Sequence, residues 1–269
     1  MERTVSQQIQ SGDARILYHV VGEGPAVVLL HPFPADHEFW LPIAEMLAPR
    51  YRLILPDLRG HGGSEVGDGP ATMEKHAADI ARVMDEAEAG WAPMIGVSIG
   101  GYVLFEFWRR YRGRVAALAM INTKAAADST EARSGRLQAA NDVLQNGTEA
   151  FFQSLVPRLL GKTTRETRPD LVEGALRMMR RMSPEYVAQV QRGMAERPDS
   201  VETLKTINVR TIIVTGDEDI LTGVNEAEAM HRLVPGSQLR VVAKAGHYSP
   251  WEQMREVTKL LRQFLDSSL

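Results

Sequence analysis

Ser98 is the residue of this chain with the clearest chemical potential. It stands in Met94-Ile95-Gly96-Val97-Ser98-Ile99-Gly100-Gly101, a G-x-S-x-G pattern. An apolar run, Pro93 to Val97, precedes it, and an apolar helix-like stretch, Tyr102 to Trp108, follows. A serine on so sharp a strand-to-helix turn is strained, and its hydroxyl is raised at the carboxyl end of a sheet. Gly96 and Gly100 leave room for the turn, and Gly101 lets the helix pack close behind it. The helix N-terminus offers unpaired N–H groups to a developing negative charge. This is an arrangement for nucleophilic attack. A dinucleotide-binding reading is weaker, because G-x-G-x-x-G requires Gly where Ser98 stands.

A serine hydroxyl is a poor nucleophile at neutral pH. It needs a base within hydrogen-bond reach, and the base needs a third group to orient it. Among the histidines, His247 stands out because it follows Val241-Val242-Ala243-Lys244-Ala245-Gly246. That places it in a loop after an apolar strand, where an α/β sheet carries its chemistry. The candidate acids are Asp217 and Asp219, in Thr215-Gly216-Asp217-Glu218-Asp219 after another apolar strand. The order Ser, Asp, His suits this architecture.

The elements that must position these residues alternate along the chain. Thr4 to Gln10 and Arg15 to Val21 alternate apolar and polar residues, which predicts an antiparallel edge pair. Short apolar runs at Ala26–Leu30, Leu53–Leu55, Met94–Val97, Ala116–Ile121, Thr211–Val214 and Leu239–Val242 predict interior strands of a mostly parallel sheet. Helical patterns lie between them at Trp40–Leu47, Met73–Glu88, Gly101–Tyr111, Glu226–Val234 and Gln253–Leu265. The plan is doubly wound α/β with eight strands and helices on both faces. From Ala125 to Lys205 there is no strand signal, only apolar stripes at helical spacing, with Pro157 expected to start or kink a turn. The expected division is a core of residues 1–124 and 206–269 with an all-helical cap, 125–205, inserted between two strands.

Composition sets the boundaries. The chain has 269 residues, a net charge of −3 and no cysteine. No strong field points to nucleic acid, and disulfides, thiolate metal sites and a cysteine nucleophile are excluded. Residues Met1 to Asp13 lack a secretory apolar segment, and no apolar run reaches membrane-spanning length. No His/Asp/Glu group has metal-ligand spacing in the sequence. The expectation is a cytoplasmic protein, monomer or homodimer, that acts on a small molecule with no metal or cofactor.

Five blocks occur in one order: His31-Pro32-Phe33-Pro34; Asp57-Leu58-Arg59-Gly60-His61-Gly62-Gly63-Ser64; Gly96 to Gly101; Gly216 to Asp219; and Gly246-His247 with Glu252 beyond. On these blocks the chain resembles the α/β-hydrolase superfamily over nearly its full length. Within it, the chain is most similar to capped carboxylesterases and 3-oxoadipate enol-lactonase-like hydrolases. The resemblance implies Ser98 as nucleophile, His247 as general base and then acid, and Asp219 rather than Asp217 as the acid that orients it. Asp217 is then a loop-capping carboxylate. The resemblance also implies an oxyanion hole from the backbone N–H groups of Phe33 and Ile99. The chain departs from the usual His-Gly loop start by having His31-Pro32. Pro32 has no N–H to donate, and a cis bond is open to it.

The remaining matches carry structural expectations. His31 ties down its loop, and Asp57, Arg59, His61 and Ser64 form a turn. His37, Trp40 and Trp251 are candidates to line the pocket mouth. Arg158, Arg177, Arg180, Arg181 and Arg192 of the helical region are expected in solvent, and two arginines inside the pocket would instead argue for a carboxylate substrate. The implied activity is hydrolysis of a carboxylic ester through an acyl-enzyme. The alternatives are an enol-lactonase or C–C bond hydrolase with the same triad, and a non-catalytic ligand-binding protein of this fold.

Overall fold

The computed structural model describes residues 5–268. Thr4, where the first strand was expected to begin, lies outside them, as do Met1–Arg3 and Leu269. The strands are β1 (Val5–Ser11), β2 (Ala14–Val21), β3 (Ala26–Leu30), β4 (Arg52–Pro56), β5 (Ala92–Val97), β6 (Val115–Ile121), β7 (Arg210–Gly216) and β8 (Gln238–Val242). They form one sheet in the order β1-β2-β4-β3-β5-β6-β7-β8. β2 pairs antiparallel with β1 and with β4, and all other pairings are parallel. β3 and β5 are apolar on both faces because helices cover both faces.

The helices are α1 (Leu41–Leu47), α2 (Met73–Glu86), α3 (Ile99–Tyr111), α4 (Thr130–Asn146), α5 (Glu149–Leu159), α6 (Lys162–Thr167), α7 (Pro169–Met179), α8 (Pro184–Ala195), α9 (Val201–Leu204), α10 (Val224–Leu233), α11 (Ser249–Glu252) and α12 (Met254–Leu265). Their starts follow local chemistry. Thr72, Ser129 and Ser183 accept the Lys75, Ala132 and Tyr186 amides, capping α2, α4 and α8, and Pro184 suits the first position of α8. α4 to α9 all lie between β6 and β7, and α4 packs along α8.

Two local expectations change. Pro157 does not start a turn; it sits inside α5, which ends two residues later at Leu159. β8 is an edge strand rather than an interior one, so its middle residues are open and Val241 is exposed. Among the described residues no helix is long and apolar enough to cross a membrane.

Candidate active site

The parallel register brings the strand ends to one edge. Leu30 pairs with Gly96, Val97 and Val214 both pair with Ile121, and Gly216 pairs with Val242. The segments that leave this edge begin at His31, Ser98, Asn122, Asp217 and Ala243. Residues scattered from 31 to 247 therefore share one small region.

Ser98 joins β5 to α3 with φ +55° and ψ −113°, a conformation costly for a residue with a side chain. The turn is over-determined. The Ser98 N–H donates to the Ile121 carbonyl at 3.0 Å, and the Ser98 carbonyl accepts from Thr123 Oγ1 at 2.9 Å. A Cβ on Gly96 would lie 2.5 Å from the Gly100 carbonyl carbon, and one on Gly100 would lie 2.6 Å from the Leu30 carbonyl oxygen. At Gly101 a Cβ would meet Thr123 Oγ1 at 2.4 Å. All three glycines are thus sites of close approach, as the pattern suggested. The Ser98 hydroxyl makes no capping bond to α3, and it lines a cavity with His247. Serine and imidazole share that cavity without a hydrogen bond between them among the described residues. Such contacts commonly tighten only with substrate in place.

His247 Nδ1 lies 3.0 Å from Asp219 Oδ2, and both side chains are buried. The Asp219 carboxylate collects further donors. Oδ1 accepts from the Leu221 and Thr222 amides, and Oδ2 from Asn122 Nδ2 and Thr222 Oγ1, both at 2.8 Å. Burial alone would raise its pKa. The His247 imidazole and these donors outweigh burial and hold Asp219 well below the usual carboxylate range. An ionised Asp219 fixes the proton of His247 on Nδ1, leaving Nε2 as the acceptor. Asp217 is exposed and receives the Ala245 amide at 3.3 Å, as a loop-capping residue does.

Asn122 is a site residue that sequence reasoning missed. It is buried with φ +44°, a left-handed conformation that asparagine tolerates. Its amide donates to Asp219 and to the Gly246 carbonyl, while its oxygen accepts from Ser249 Oγ. Two acceptors on one side leave only one orientation for the amide. A lone polar residue directly after the apolar β6 run was the available signal.

Facing Ser98 is the loop after β3. The Phe33 N–H donates to nothing among the described residues, and Ile99 is the first residue of α3, whose N–H has no intrahelical acceptor. The Phe33 carbonyl accepts from Tyr248 Oη at 3.1 Å, tying this loop to the one that carries His247. The cis peptide of the loop is Phe33–Pro34, one proline later than the His31-Pro32 step considered from sequence.

His31 and the Asp57–Ser64 turn hold the loops together. His31 Nδ1 donates to the Pro32 carbonyl and Nε2 accepts the Leu58 amide, so the ring spans two loops as a neutral imidazole, its pKa lowered to about 4 chiefly by burial. Asp57 accepts the His37 and Gly63 amides, and buried Arg59 forks onto Asp79.

The three residues expected at the pocket mouth lie elsewhere. Trp40 is fully buried at the start of α1, edge-on to Phe39. Trp251 donates its Nε1 proton to the Leu171 carbonyl and stacks on Phe39, so it ties α7 to the 3-10 turn that holds Phe39. His37 bonds Asp57 through Nδ1 and stacks on His19. None of the three is among the residues that line the cavity beside Ser98, although each is near those loops in sequence.

His19, His37 and Asp57 do come together with ligand-capable atoms within 4.8 Å of one another, a grouping the sequence did not reveal. Their geometry does not suit a shared ion. The two rings stack with centroids 3.5 Å apart and planes at 22°. Imidazole lone pairs lie in the ring plane, and near-parallel planes so close cannot both aim at one ion at the usual ~2.0–2.1 Å.

The cavity beside Ser98 has a volume of about 470 Å³. Phe33, Phe151, Leu155 and Leu159 supply apolar wall, and Tyr102, Lys124, Asp128, Arg136 and Gln191 a polar one. Arg158, exposed as expected, also borders the cavity. Arg181 is exposed, and it bonds Asp36 and Glu38, joining the α7–α8 turn to the loop after β3.

An esterase from Thermogutta terrifontis, solved with malate bound, is 36% identical, superposes with a TM-score of 0.94, and the match covers 98% of this chain and 99% of that one. A putative 2-succinyl-6-hydroxy-2,4-cyclohexadiene-1-carboxylate synthase of Bacillus subtilis is 27% identical over 98% of this chain and 99% of its own length. The 3-oxoadipate enol-lactonase 1 of Acinetobacter baylyi is 24% identical over 90% and 89%. The family model described as alpha/beta hydrolase fold matches residues 25–253, and with that match the chain belongs to the α/β-hydrolase fold family.

Proposed function

We propose that this protein is a serine hydrolase that cleaves carboxylic esters through an acyl-enzyme. The observation that carries the reading is Ser98, held at φ +55° over the start of α3 and opening into the cavity lined by His247, whose Nδ1 bonds buried Asp219. Ser98 Oγ attacks the ester carbonyl as His247 Nε2 takes its proton. Asp219 stabilises the imidazolium without itself being protonated. The Phe33 and Ile99 amides receive the oxyanion, and each such donor is worth about 10²–10³ in rate. The imidazolium gives its proton to the leaving alcohol, and a water activated by the same nitrogen then releases the acid. The helical segment 125–205 serves as the cap, supplying the cavity wall away from the sheet.

A second reading, cleavage of a lactone, rests on one observation: Lys124, Arg136 and Arg158 line the cavity, and cationic walls suit a substrate with a free carboxylate. The relatives named as an enol-lactonase and as an esterase with bound malate are compatible with it. A lactone is an internal ester, so the triad and the acyl-enzyme are unchanged.

The test is hydrolysis of a 4-nitrophenyl ester series from acetate to decanoate, with covalent labelling by a fluorophosphonate. Labelling at Ser98 and a fall of about 10⁴-fold or more in kcat for Ser98→Ala are expected. Ester cleavage that survives Ser98→Ala would remove the proposal.

A further inference from the structure

Charge is unevenly distributed in the cavity. Asp128 is the one acidic residue of its wall, set against Lys124, Arg136 and Arg158. The Asp128 side chain is 3% exposed and receives three cations: Arg136 Nε at 2.5 Å, Arg197 Nη2 at 2.9 Å and Lys124 Nζ at 3.7 Å. Arg197 is itself buried, and its guanidinium lies 4.2 Å from the centre of the Tyr102 ring, another wall residue. Four residues from three parts of the chain thus converge: Lys124 and Asp128 after β6, Arg136 on α4 and Arg197 after α8.

Asp128 neutralises one of these cations and Asp199 lies close enough to Arg197 to offset a second, so the cluster keeps an excess of one positive charge, on the Lys124 and Arg136 side that lines the cavity with Ser98. A structural ion pair needs no such excess. Partly enclosed charge is costly to leave unpaired, and a site that keeps surplus cations out of bulk water is stabilised when an anion enters. Arg136 is placed to meet one. Its Nε is engaged by Asp128, and its Nη1 makes long contacts to Gln191 Oε1 at 3.3 Å and Met194 Sδ at 3.4 Å. Its Nη2 makes no hydrogen bond among the described residues. Asp128 and the wall thus fix the guanidinium while leaving a donor for ligand. Lys124, two residues beyond Asn122, offers an ammonium from the sheet side of the same cavity. A planar guanidinium beside an ammonium matches the two oxygens of a carboxylate.

We infer that Arg136 and Lys124, held by Asp128 and Arg197, form an anion subsite, and that the ester cleaved carries a second, free carboxylate that binds there. This inference rests on the acyl-enzyme reading above. It makes the preferred substrate a half-ester of a dicarboxylic acid or a carboxylated lactone, rather than a neutral alkyl ester.

The experiment compares mono-4-nitrophenyl adipate with its methyl ester, which has the same acyl chain with the charge removed. In the wild-type protein kcat/KM for the free acid should exceed that for the methyl ester by about tenfold or more. Arg136→Gln should bring that ratio close to one, a fall of about tenfold or more, mostly through KM of the anionic ester, as loss of a charge-assisted bond to substrate does. Arg136→Lys should restore part of it. Equal turnover of both esters by the wild-type protein, or a ratio unmoved by Arg136→Gln, would overturn the subsite while leaving the ester chemistry standing. If neither ester is cleaved, calorimetric titration with adipate decides the subsite alone. Binding lost in Arg136→Gln would keep it and remove the ester chemistry, and no binding to the wild-type protein would remove both.

Discussion

Asn122→Asp tests the polar cluster behind His247 without assuming anything about catalysis. The substitution preserves shape and tolerates the positive φ of this position. It replaces a donor with a carboxylate oxygen 2.8 Å from Asp219 Oδ2, with the Gly246 carbonyl a further 3.2 Å neighbour. At that separation two negative charges repel by about 6 kcal/mol for an effective dielectric constant of ~20. At about 1.36 kcal/mol per pKa unit this equals roughly 4 units, so the pair keeps one proton up to about pH 8. In the unfolded chain both carboxyls ionise near pH ~4.

The folded pKa of the pair is therefore raised above the unfolded value. For an acid this is a penalty on folding, absent below the unfolded pKa, growing as pH rises and levelling above the folded pKa. Between pH 5 and pH 8 the variant should lose about 4 kcal/mol relative to the wild-type protein, against a total stability of ~5–15 kcal/mol for a domain. Urea unfolding at both pH values measures it. Adding Asp219→Asn, which restores a single carboxylate to the cluster, should recover most of the loss at pH 8. A destabilisation equal at the two pH values, or one that Asp219→Asn fails to relieve, would refute the contact on which the orientation of His247 is argued.

Three further outcomes follow from other contacts. Arg181→Ala removes the cation on Asp36, whose pKa burial and the nearby Asp57 raise to about 6 while Arg181 opposes them. The carboxylate is ionised mainly above that pH, so the variant should lose about 1–3 kcal/mol at pH 8 and less than half as much at pH 5, by thermal unfolding. Gly100→Ala drives a Cβ to 2.6 Å from the Leu30 carbonyl oxygen. It should cost about 1–3 kcal/mol, and kcat should fall because the Leu30–Phe33 segment must shift. Glu252 accepts the Gly161 amide at 2.8 Å and the Gly246 amide at 2.9 Å, pinning the loop before His247 to the α5–α6 turn. Glu252→Gln can satisfy only one of these amides, and a fall of about tenfold in kcat with little change in KM is expected; equal activity with lowered stability would make Glu252 a purely structural residue.

Legibility in the sequence followed the range of the interaction involved. The strands could be read because a sheet covered on both faces demands apolar runs at β3, β5, β6 and β7, and each appears in the local composition. The edge strand β8 carries a similar apolar spelling, yet Arg240 and Val241 are exposed and only Val242 is buried. Ser98 was legible because its backbone strain needs glycine at fixed offsets, and His247 and Asp219 because each lies a few residues beyond a strand end. His37, Trp40 and Trp251 were misplaced because nearness along the chain does not set the direction of a ring. Phe39 decides the case for both tryptophans, drawing one against its edge and the other against its face.

The charged wall of the cavity belongs to a different class of information. Lys124 and Asp128 lie in the segment after β6, Arg136 on α4 and Arg197 after α8, and no local rule in the sequence joins these three places. What unites them is the packing of α4 along α8, which sets Arg136 beside Gln191 and Met194 and carries Arg197 beneath Tyr102. Tyr102 in turn sits four residues after Ser98 in the first turns of α3. The strained serine and the surplus positive charge are thus joined through one helix. The proposed reaction type rests on short-range constraints on backbone conformation, whereas the proposed preference for an anionic ester rests on contacts between segments far apart in the chain. A substitution in α4 or α8 can change the second while leaving every recognisable motif of the first intact.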